Sequence, residues 1–460
     1  MVNFLSQLAV SLAGFIATIV LTRTLGQSRY GTYVVVLSVL SWVSLAGEFG
    51  LPQAVKKRVS ESGEGNYVLS GAIVQFGMYS FVAVCLLVAQ PYLNDFMEVM
   101  ATWVIIIMLA GRLAYGFVRT VLDGQHLVHV SSILSPVQWT SRSIVQVTLV
   151  LSGFGLAGAF AGYVVGTIVA TIIGAYFITI PRTRPSRQEF SRLKEYAQFS
   201  WLGSIKGRTF LSMDTLILAV FVSHSLVAVY EIAWNLASLF ATFGASISRT
   251  LFPEMSKISS AGGSENEISD LLEVSLAYSG LFIIPGMVGA ALVGDVVLTI
   301  YGSGFDAGYY ILLVLTFARL LYGYMGQFLN TINALDYPNL TFHINAAFAA
   351  VNIGLNVVLT WQFGWYGAAV ATTVSAGLGL LLSYYYANKV ISIDIPIKEI
   401  SKQCLSAMIM AVAVFVGRAL FGSSLSVIIF LVGIGAAIYF GSLLSISKEF
   451  RTTVKHNIPL

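Results

Sequence analysis

Fourteen long apolar segments constrain what this sequence can fold into. Each has about 20 residues, the length with which an α-helix crosses roughly 30 Å of hydrocarbon. Charged residues make up 10% of the 460 residues and the mean hydropathy is +0.82, whereas soluble domains carry about 25% charged residues. The sequence therefore predicts an all-α polytopic membrane protein with about 14 transmembrane helices and no soluble domain.

Lysine and arginine predict the orientation of these helices. With a cytoplasmic N-terminus, the inner loops and tail hold sixteen basic residues and the outer loops hold three, Arg23, Arg29 and Arg418. Basic residues collect in cytoplasmic loops, so we expect both termini to lie in the cytoplasm. Arg23 and Arg29 follow the first helix directly and favour the opposite orientation locally, and the count over the whole chain outweighs them.

The longest polar interruption, Pro181–Arg208, separates six apolar segments from eight. Pro181 and Pro185 end the preceding helix. Ser186, followed three residues later by Glu189, predicts a capping box and hence a new helix start. The apolar spacing then predicts a short amphipathic helix on the cytoplasmic membrane surface. An ordinary basic loop is the alternative.

An internal repeat predicts two six-helix lobes. Phe154–Ala159 and Phe363–Ala368 share the pattern Phe-Gly-x-x-Gly-Ala, and Leu122-Asp123 matches Leu335-Asp336. Six helices per lobe give both lobes the same orientation, a parallel repeat around a central cavity. The predicted boundaries are 1–180 for the N-lobe, 181–200 for the linker, 201–388 for the C-lobe, and 389–460 for two extra helices and a cytoplasmic tail.

Several classes of function are excluded by the sequence. Cys85 and Cys404 both lie in apolar segments, so neither a disulfide framework nor a cysteine metal site is expected. The histidines lack metal-ligand spacing, and no phosphate-binding loop of the type G-x-x-x-x-G-K-[ST] occurs. We expect no cofactor, no metal, no catalytic residues and no nucleic-acid partner.

Gly158, Gly162 and Gly166 form overlapping G-x-x-x-G units that favour helix packing.

Polar stripes at helical period run along several apolar segments, from which we predict that these side chains line a shared water-filled cavity between the lobes. For any single Ser or Asn, interhelical hydrogen bonding is the more common role. The candidate lining residues are Gln7, Gln138, Glu231, Asn235, Asn330, Asn352 and Asn356.

Charged residues within membrane spans are costly and mark function by default. Arg112, Arg142 and Arg319 lie deepest and are the first candidates to bind a phosphate group. Arg119, Lys206 and Arg208 are further candidates, or they snorkel to the inner interface. Asp214 lies mid-helix in the seventh segment, where it pairs with Lys206 or Arg208 or carries a coupling ion.

Several motifs resemble the polysaccharide-type flippases of the multidrug/oligosaccharidyl-lipid/polysaccharide exporter superfamily. Arg23-Thr24-Leu25-Gly26 with Tyr30-Gly31-Thr32-Tyr33 is similar to the signature R-x-L-G-x-x-x-Y-G-x-Y of those proteins. Further matches are Asp214 after a basic loop, Ala228-Val229-Tyr230, Phe252-Pro253-Glu254-Met255-Ser256 and the two Phe-Gly-x-x-Gly-Ala turns. The resemblance covers nearly the whole chain. Ala228 departs from the usual glycine, and the short leader before Asn3 suggests a late annotated start.

The resemblance implies two lobes around a central cavity, alternating access and a lipid-linked oligosaccharide as substrate. We therefore predict a flippase, not an enzyme, that moves a polyprenyl- or dolichyl-(pyro)phosphate-linked oligosaccharide across the cytoplasmic membrane. Membrane lipid, a coupling H⁺ or Na⁺ and glycan-assembly enzymes are the expected partners. The alternatives are a multidrug or cation antiporter of the same fold, and a membrane glycan polymerase or ligase.

Overall fold

The computed structural model describes the backbone of residues 2–61 and 65–457, and the side chains of residues 13–61, 65–198, 200 and 213–454. Within these residues the secondary structure is helical and contains no strand. The chain divides into two compact units, Met1–Ala228 and Val229–Leu460. The predicted division into six-helix lobes remains a prediction.

The first unit contains eight helices and the start of a ninth. These are α1 Val2–Glu48, α2 Leu51–Ser60, α3 Tyr67–Val88, α4 Gln90–Phe96, α5 Thr102–Gly124, α6 Val128–Leu149, α7 Gly155–Tyr176, α8 Arg187–Phe221 and the first residues of α9 His224–Ser260. The second unit contains the rest of α9 and α10 Glu265–Ser279, α11 Ile283–Leu298, α12 Tyr309–Ala334, α13 Pro338–Val390, α14 Ile397–Phe421, α15 Leu425–Ile446 and α16 Lys448–Asn457.

The length and composition of the helices confirm a multi-pass membrane protein. Ten stretches of the described chain are long and apolar enough to span a membrane. Three of them are interrupted by glycines outside helical geometry: Gly26 in α1, Gly153 and Gly155 between α6 and α7, and Gly364 in α13. Division at these interruptions, together with the 35-residue α8, is consistent with the fourteen predicted spans.

The two predicted Phe-Gly-x-x-Gly-Ala turns have nearly the same backbone. Gly155 has φ 53° and ψ −132°, and Gly364 has φ 58° and ψ −142°, a region that only glycine adopts readily. After each turn the chain folds back on itself. A Cβ on Gly367 would lie 1.9 Å from the Leu359 carbonyl oxygen, and one on Gly158 would lie 2.9 Å from the Leu149 Cβ. Both motifs therefore form tight helical hairpins.

The turns at the start of these hairpins also correspond, in a register that differs from the predicted match. His126 (φ 61°) and Asp336 (φ 64°) both adopt a left-handed conformation after a helix end. In each case the next amide donates to the carbonyl five residues back, Leu127 to Leu122 and Tyr337 to Ile332, as in a Schellman cap. Asp336 is thus equivalent to His126, and the sequence pairing of Asp123 with Asp336 was three residues out of register.

The predicted capping box at the linker is confirmed in its first half. Ser186 is the N-cap of α8 and its Oγ accepts from the Glu189 amide at 3.4 Å. The buried Glu189 carboxylate does not return to Ser186; it accepts from the Asn66 amide at 3.1 Å and from the Ser70 hydroxyl. The predicted short surface helix was wrong in length, because α8 continues without interruption from Arg187 into the seventh apolar segment.

Loops of the first unit meet in two groups that follow the predicted alternation. Predicted inner loops are joined by the salt bridge from Lys56 to Asp123 at 3.2 Å and by the Asn66 side chain donating to the Pro181 carbonyl at 2.8 Å. Predicted outer loops are joined at His224, whose Nδ1 lies 3.0 Å from the Thr32 hydroxyl and 3.6 Å from the Glu98 carboxylate. Which group faces the cytoplasm remains a prediction.

Candidate functional site

Arg142 of α6 lies at the centre of a polar cluster in the first unit. Its Nη2 donates to the Tyr33 hydroxyl at 2.6 Å and its Nε to the Gln146 Oε1 at 3.4 Å. The guanidinium carbon lies 4.8 Å from the Trp139 ring centroid and 4.7 Å from that of Tyr163. Aromatic faces attract a guanidinium without neutralising it. Arg142 itself is only partly buried.

Glycines of α7 make room for this cluster. A Cβ on Gly166 would lie 2.6 Å from the Arg142 Cβ and 2.8 Å from the Gln138 carbonyl oxygen. A Cβ on Gly162 would lie 2.3 Å from the Gln146 Cγ. The predicted G-x-x-x-G packing face is therefore the surface against which the polar side of α6 packs. Its small residues determine how closely Arg142 approaches α7.

The signature segment Tyr30–Tyr33 supplies the other side of the cluster. A Cβ on Gly31 would lie 1.8 Å from the His224 carbonyl oxygen, so only glycine fits there. Thr32 lies 3.0 Å from the His224 ring, as described above. Tyr33 is 3% exposed and contacts Arg142 and Gln146. Consecutive residues of the motif thus pack α1 against the start of α9 and place a hydroxyl on Arg142.

Two further predicted cations lie on α5 in the same unit. Gly111 packs against Thr167 of α7, one residue along α7 from the Gly166 contact with Arg142. Arg112 therefore lies at the same level of the unit as Arg142. Arg119 lies two turns further along α5, with its guanidinium 5.8 Å from the Tyr115 ring and a buried Nε that has no hydrogen-bond partner among the described residues.

These three arginines share one electrostatic property. Within the described residues, no carboxylate forms a salt bridge with Arg112, Arg119 or Arg142. An uncompensated cation within a membrane span is costly and is kept for a purpose. The first unit therefore holds an excess of positive charge among its membrane-spanning helices.

Arg319 of α12 is held differently, in the second unit. Its guanidinium carbon lies 3.7 Å from the Trp234 ring centroid, and its Nη2 donates to the Ser238 hydroxyl. Three hydrogen bonds join α9 to α12: Arg319 to Ser238, Gln327 to the Gly244 carbonyl, and Asn330 to Ser248. The partners are 81, 83 and 82 residues apart in the sequence, a nearly constant separation. The two helices therefore run parallel, with polar groups of each facing the other.

Comparisons with known proteins identify the family of the chain. The sequence profile of a family described as "Polysaccharide biosynthesis protein" matches residues 1–259. The probable flippase AglR of Haloferax volcanii is 31% identical over 466 residues, covering 98% of this chain and 96% of that protein. The chain belongs to the polysaccharide biosynthesis protein family. The probable low-salt glycan biosynthesis flippase Agl15 of the same organism is 27% identical, with 93% and 90% covered.

Solved structures identify the fold. The lipid II flippase MurJ, in an inward closed conformation, superposes with a TM-score of 0.80 at 16% identity and covers 99% of this chain and 100% of its own. An inward-facing multidrug resistance MATE transporter of the MOP superfamily gives 0.60 at 15% identity, covering 82% and 94%. The fold is thus shared with these transporters.

The remaining predicted lining residues of this family member have different environments. Gln138 and Glu231 are half-buried, and Asn235 is exposed and donates to the Glu231 carboxylate at 3.3 Å. In contrast, Asn352 and Asn356 are 8% and 0% exposed. The Asn356 side-chain amide donates to the Asn352 backbone carbonyl at 3.1 Å.

Four predicted site residues have fewer structural details. Gln7, Lys206 and Arg208 lie outside the residues whose side chains are described. Asp214 is half-buried in α8. Its predicted roles in ion pairing or ion coupling remain predictions. No group of three metal-binding side chains occurs within the described part of the chain.

The sequence analysis missed the cations that are compensated by carboxylates. Arg418 of α14 donates to both carboxylate oxygens of Asp295 at 3.1 and 2.6 Å and also to the Leu292 carbonyl. Lys402 pairs with the buried Glu399, whose second oxygen accepts from Ser447 at 2.6 Å. Arg418 was predicted only as an outer-loop charge. No local pattern links Arg418 to an acid more than 120 positions away.

Proposed function

We propose that this protein is a flippase that moves a polyprenyl- or dolichyl-(pyro)phosphate-linked oligosaccharide from the inner to the outer leaflet of the cytoplasmic membrane by alternating access. The observation that carries the proposal is the set of uncompensated arginines, Arg112, Arg119 and Arg142, in the first unit. The names of the relatives AglR and Agl15, both called probable flippases, support it.

The physical argument starts from the phosphate. A charged headgroup crosses hydrocarbon only if the protein compensates its charge along a polar path. Arginine matches phosphate oxygens with a planar pair of donors, and without a carboxylate of the protein the ligand itself becomes the counterion. We place the phosphate at these arginines and at Arg319, with Lys206 and Arg208 as further contacts. Gln138, Glu231, Asn235 and Asn330 are the candidate sugar contacts.

Two other functions fit the fold less well. A multidrug antiporter is compatible with the MATE likeness, but a carrier of cationic drugs needs acids, whereas Arg112, Arg119 and Arg142 have no carboxylate partner among the described residues. A glycan polymerase or ligase needs catalytic groups in a sizeable extramembrane region, whereas the described connections between helices are short. A transporter that is not an enzyme is therefore the best supported reading.

Topology and coupling complete the proposal. We place both termini in the cytoplasm and Asp214 on the path of a coupling H⁺ or Na⁺. In a variant lacking Cys85 and Cys404, cysteine at the exposed positions Ser60 and Gln188 should react with impermeant reagents only from the cytoplasmic side, and cysteine at Ser303 only from outside. Labelling of Ser60 and Ser303 from the same side would contradict this topology.

The functional test measures lipid-linked oligosaccharide in the outer leaflet of cells that lack their own flippase. Combined replacement of Arg112, Arg142 and Arg319 by Gln should abolish its appearance while the protein remains folded in the membrane. Arg418→Gln is the matched control, because this arginine already has a carboxylate partner. Normal flipping by the triple variant at normal protein level would rule out the anion site. Efflux of a cationic dye by the unmodified protein would favour the drug transporter instead.

A further inference from the structure

We propose that Tyr33 is a positioning residue for Arg142, and that the two side chains form an oxyanion site for a phosphate group of the substrate. This inference rests on the proposed function, since it identifies where within the set of arginines the phosphate is bound. It also assigns a physical role to the last tyrosine of the signature segment Tyr30–Tyr33, which sequence analysis treated only as a family marker.

The hydrogen bonds around Tyr33 fix the orientation of Arg142. The Tyr33 oxygen accepts from the Arg142 Nη2 at 2.6 Å and from the Gln146 Nε2 at 2.6 Å. The same Gln146 nitrogen donates to the Ala159 carbonyl at 2.7 Å, which directs the Gln146 oxygen toward the Arg142 Nε. Because Gln146 and Tyr33 are both 3% exposed, the guanidinium is held by two immobile neighbours.

The donors and acceptors of this cluster do not balance. Arginine has five N–H donors and no acceptor, and Arg142 uses two of them on Tyr33 and Gln146. The Tyr33 oxygen accepts both bonds from neighbouring side chains, so its own O–H proton remains a donor. Within the described residues nothing accepts these remaining donors. The complementary ligand therefore offers several acceptor oxygens and no donor, which is the chemistry of a phosphate or pyrophosphate oxyanion.

The identity of the neighbours explains how Arg142 is positioned without losing its charge. A carboxylate in place of the Tyr33 hydroxyl would orient the guanidinium equally well, but it would also neutralise the charge that an anion needs. A phenol, an amide and two aromatic faces are all neutral. Holding the donors in place before the ligand arrives lowers the entropy lost on binding. The cluster is thus preorganised for an anion.

The test compares two tyrosines that touch the same guanidinium. Tyr33→Phe removes the oxygen that accepts from Arg142, whereas Tyr163→Phe keeps the ring beneath the guanidinium and removes a hydroxyl with no described contact to it. Purified protein in detergent is titrated with inorganic pyrophosphate at constant ionic strength. We expect Tyr33→Phe to raise the Kd about tenfold, from the loss of one hydrogen bond to a charged group, and Tyr163→Phe to leave it within about twofold.

A double-mutant cycle separates positioning from a general structural role. If Tyr33 acts mainly through Arg142, Tyr33→Phe should weaken pyrophosphate binding clearly less in the Arg142→Gln background than in the unmodified protein, since only the direct contact of its hydroxyl is then lost. An equal loss in both backgrounds, or an unchanged Kd for Tyr33→Phe alone, would overturn the inference. If Tyr33→Phe does not fold, Gln146→Met removes the same support from the other side and should also raise the Kd.

The outcome also distinguishes this inference from the proposed function. If Tyr33→Phe has no effect while Arg142→Gln weakens binding and flipping, the anion site stands and only the role of Tyr33 is rejected. If pyrophosphate binding and flipping are both unchanged in the triple arginine variant described above, the proposed function fails whatever Tyr33 does.

Discussion

Arg142 and Arg418 are both half-buried arginines in long apolar helices, yet their surroundings differ in one decisive respect. Arg418 donates to both oxygens of the Asp295 carboxylate and to a backbone carbonyl. Arg142 has a phenol, an amide and two aromatic rings around it, and no carboxylate among the described residues. Arg418 is already neutralised by Asp295 within the second unit, whereas Arg142 is oriented by its neighbours but keeps its charge.

This difference separates a structural charge from a functional one. Burying an ion pair costs about as much desolvation energy as the pair regains, so Arg418 and Asp295 fix the position of α14 against α11 more than they stabilise the fold. An arginine held only by neutral groups has no such explanation. The role of a membrane arginine is therefore indicated by the charge of its partners more than by its depth.

The largest expected effect is on transport per folded molecule. Arg142→Gln should lower the rate of flipping about ten- to a hundredfold, because a charge-assisted contact with the phosphate contributes roughly 1.5–3 kcal/mol. Arg418→Gln should leave that rate within about twofold. Outer-leaflet lipid-linked oligosaccharide, divided by the amount of folded protein, is the measurement. A larger loss in Arg418→Gln than in Arg142→Gln would reverse the comparison.

A second prediction uses the glycine beside each arginine. Gly166→Ala places a Cβ 2.6 Å from the Arg142 Cβ and 2.8 Å from the Gln138 carbonyl oxygen. The carbonyl belongs to the backbone of α6, so it cannot move away without a shift of the helix. Gly417→Ala meets only the end of the Leu431 side chain, at 2.4 Å. Both variants should have a free energy of unfolding about 1–3 kcal/mol lower than that of the unmodified protein, measured by thermal unfolding in detergent. Only Gly166→Ala should also weaken pyrophosphate binding. Equal pyrophosphate binding by the two variants would show that the packing of α7 against α6 does not affect the anion site.

A third prediction concerns the ion pair itself. Because Arg418 and Asp295 are partly exposed, at 29% and 41% of their side-chain surfaces, we expect a coupling free energy of only about 1 kcal/mol. Thermal unfolding of Arg418→Gln, Asp295→Asn and the double variant gives this value. Asp295→Asn should leave flipping unchanged. A strong loss of transport in Asp295→Asn would place Asp295 in the transport mechanism and remove the contrast with Arg142.

Features that depend on neighbouring residues were predictable from the sequence. Ser186 capping α8, and the two Phe-Gly-x-x-Gly-Ala turns, follow from backbone chemistry within a few residues. The excess of arginine over acid was also visible in the apolar segments. These local signals, together with the length of the apolar segments, were enough for the fold class and for the charge of the candidate site.

Features that depend on distant pairs were not predictable from one sequence. Nothing near Arg142 points to Tyr33, which lies 109 positions earlier, and nothing near Arg418 points to Asp295, 123 positions earlier. The Asn352 and Asn356 stripe shows the same limit, because helical period places a residue on a face without saying what covers it. In the structure both residues are buried.

The smallest predicted effect converts Arg142 into a partial copy of Arg418. Gln138 precedes Arg142 by four residues on α6, and its side chain has no hydrogen bond described. Glu followed by Arg at this spacing forms a favourable helical pair, so Gln138→Glu offers the guanidinium an internal counterion. An anion would then compete with the new carboxylate.

With a pair free energy of about 0.5–1 kcal/mol, we expect the Kd for pyrophosphate to rise roughly two- to fivefold and flipping to fall in proportion. Gln138→Met is the matched control for the binding assay, because it changes the same side chain without adding charge; pyrophosphate carries no sugar, so its Kd should stay that of the unmodified protein. If Gln138→Glu and Gln138→Met bind pyrophosphate equally, the missing counterion does not determine the affinity of Arg142, and the contrast with Arg418 loses its functional meaning.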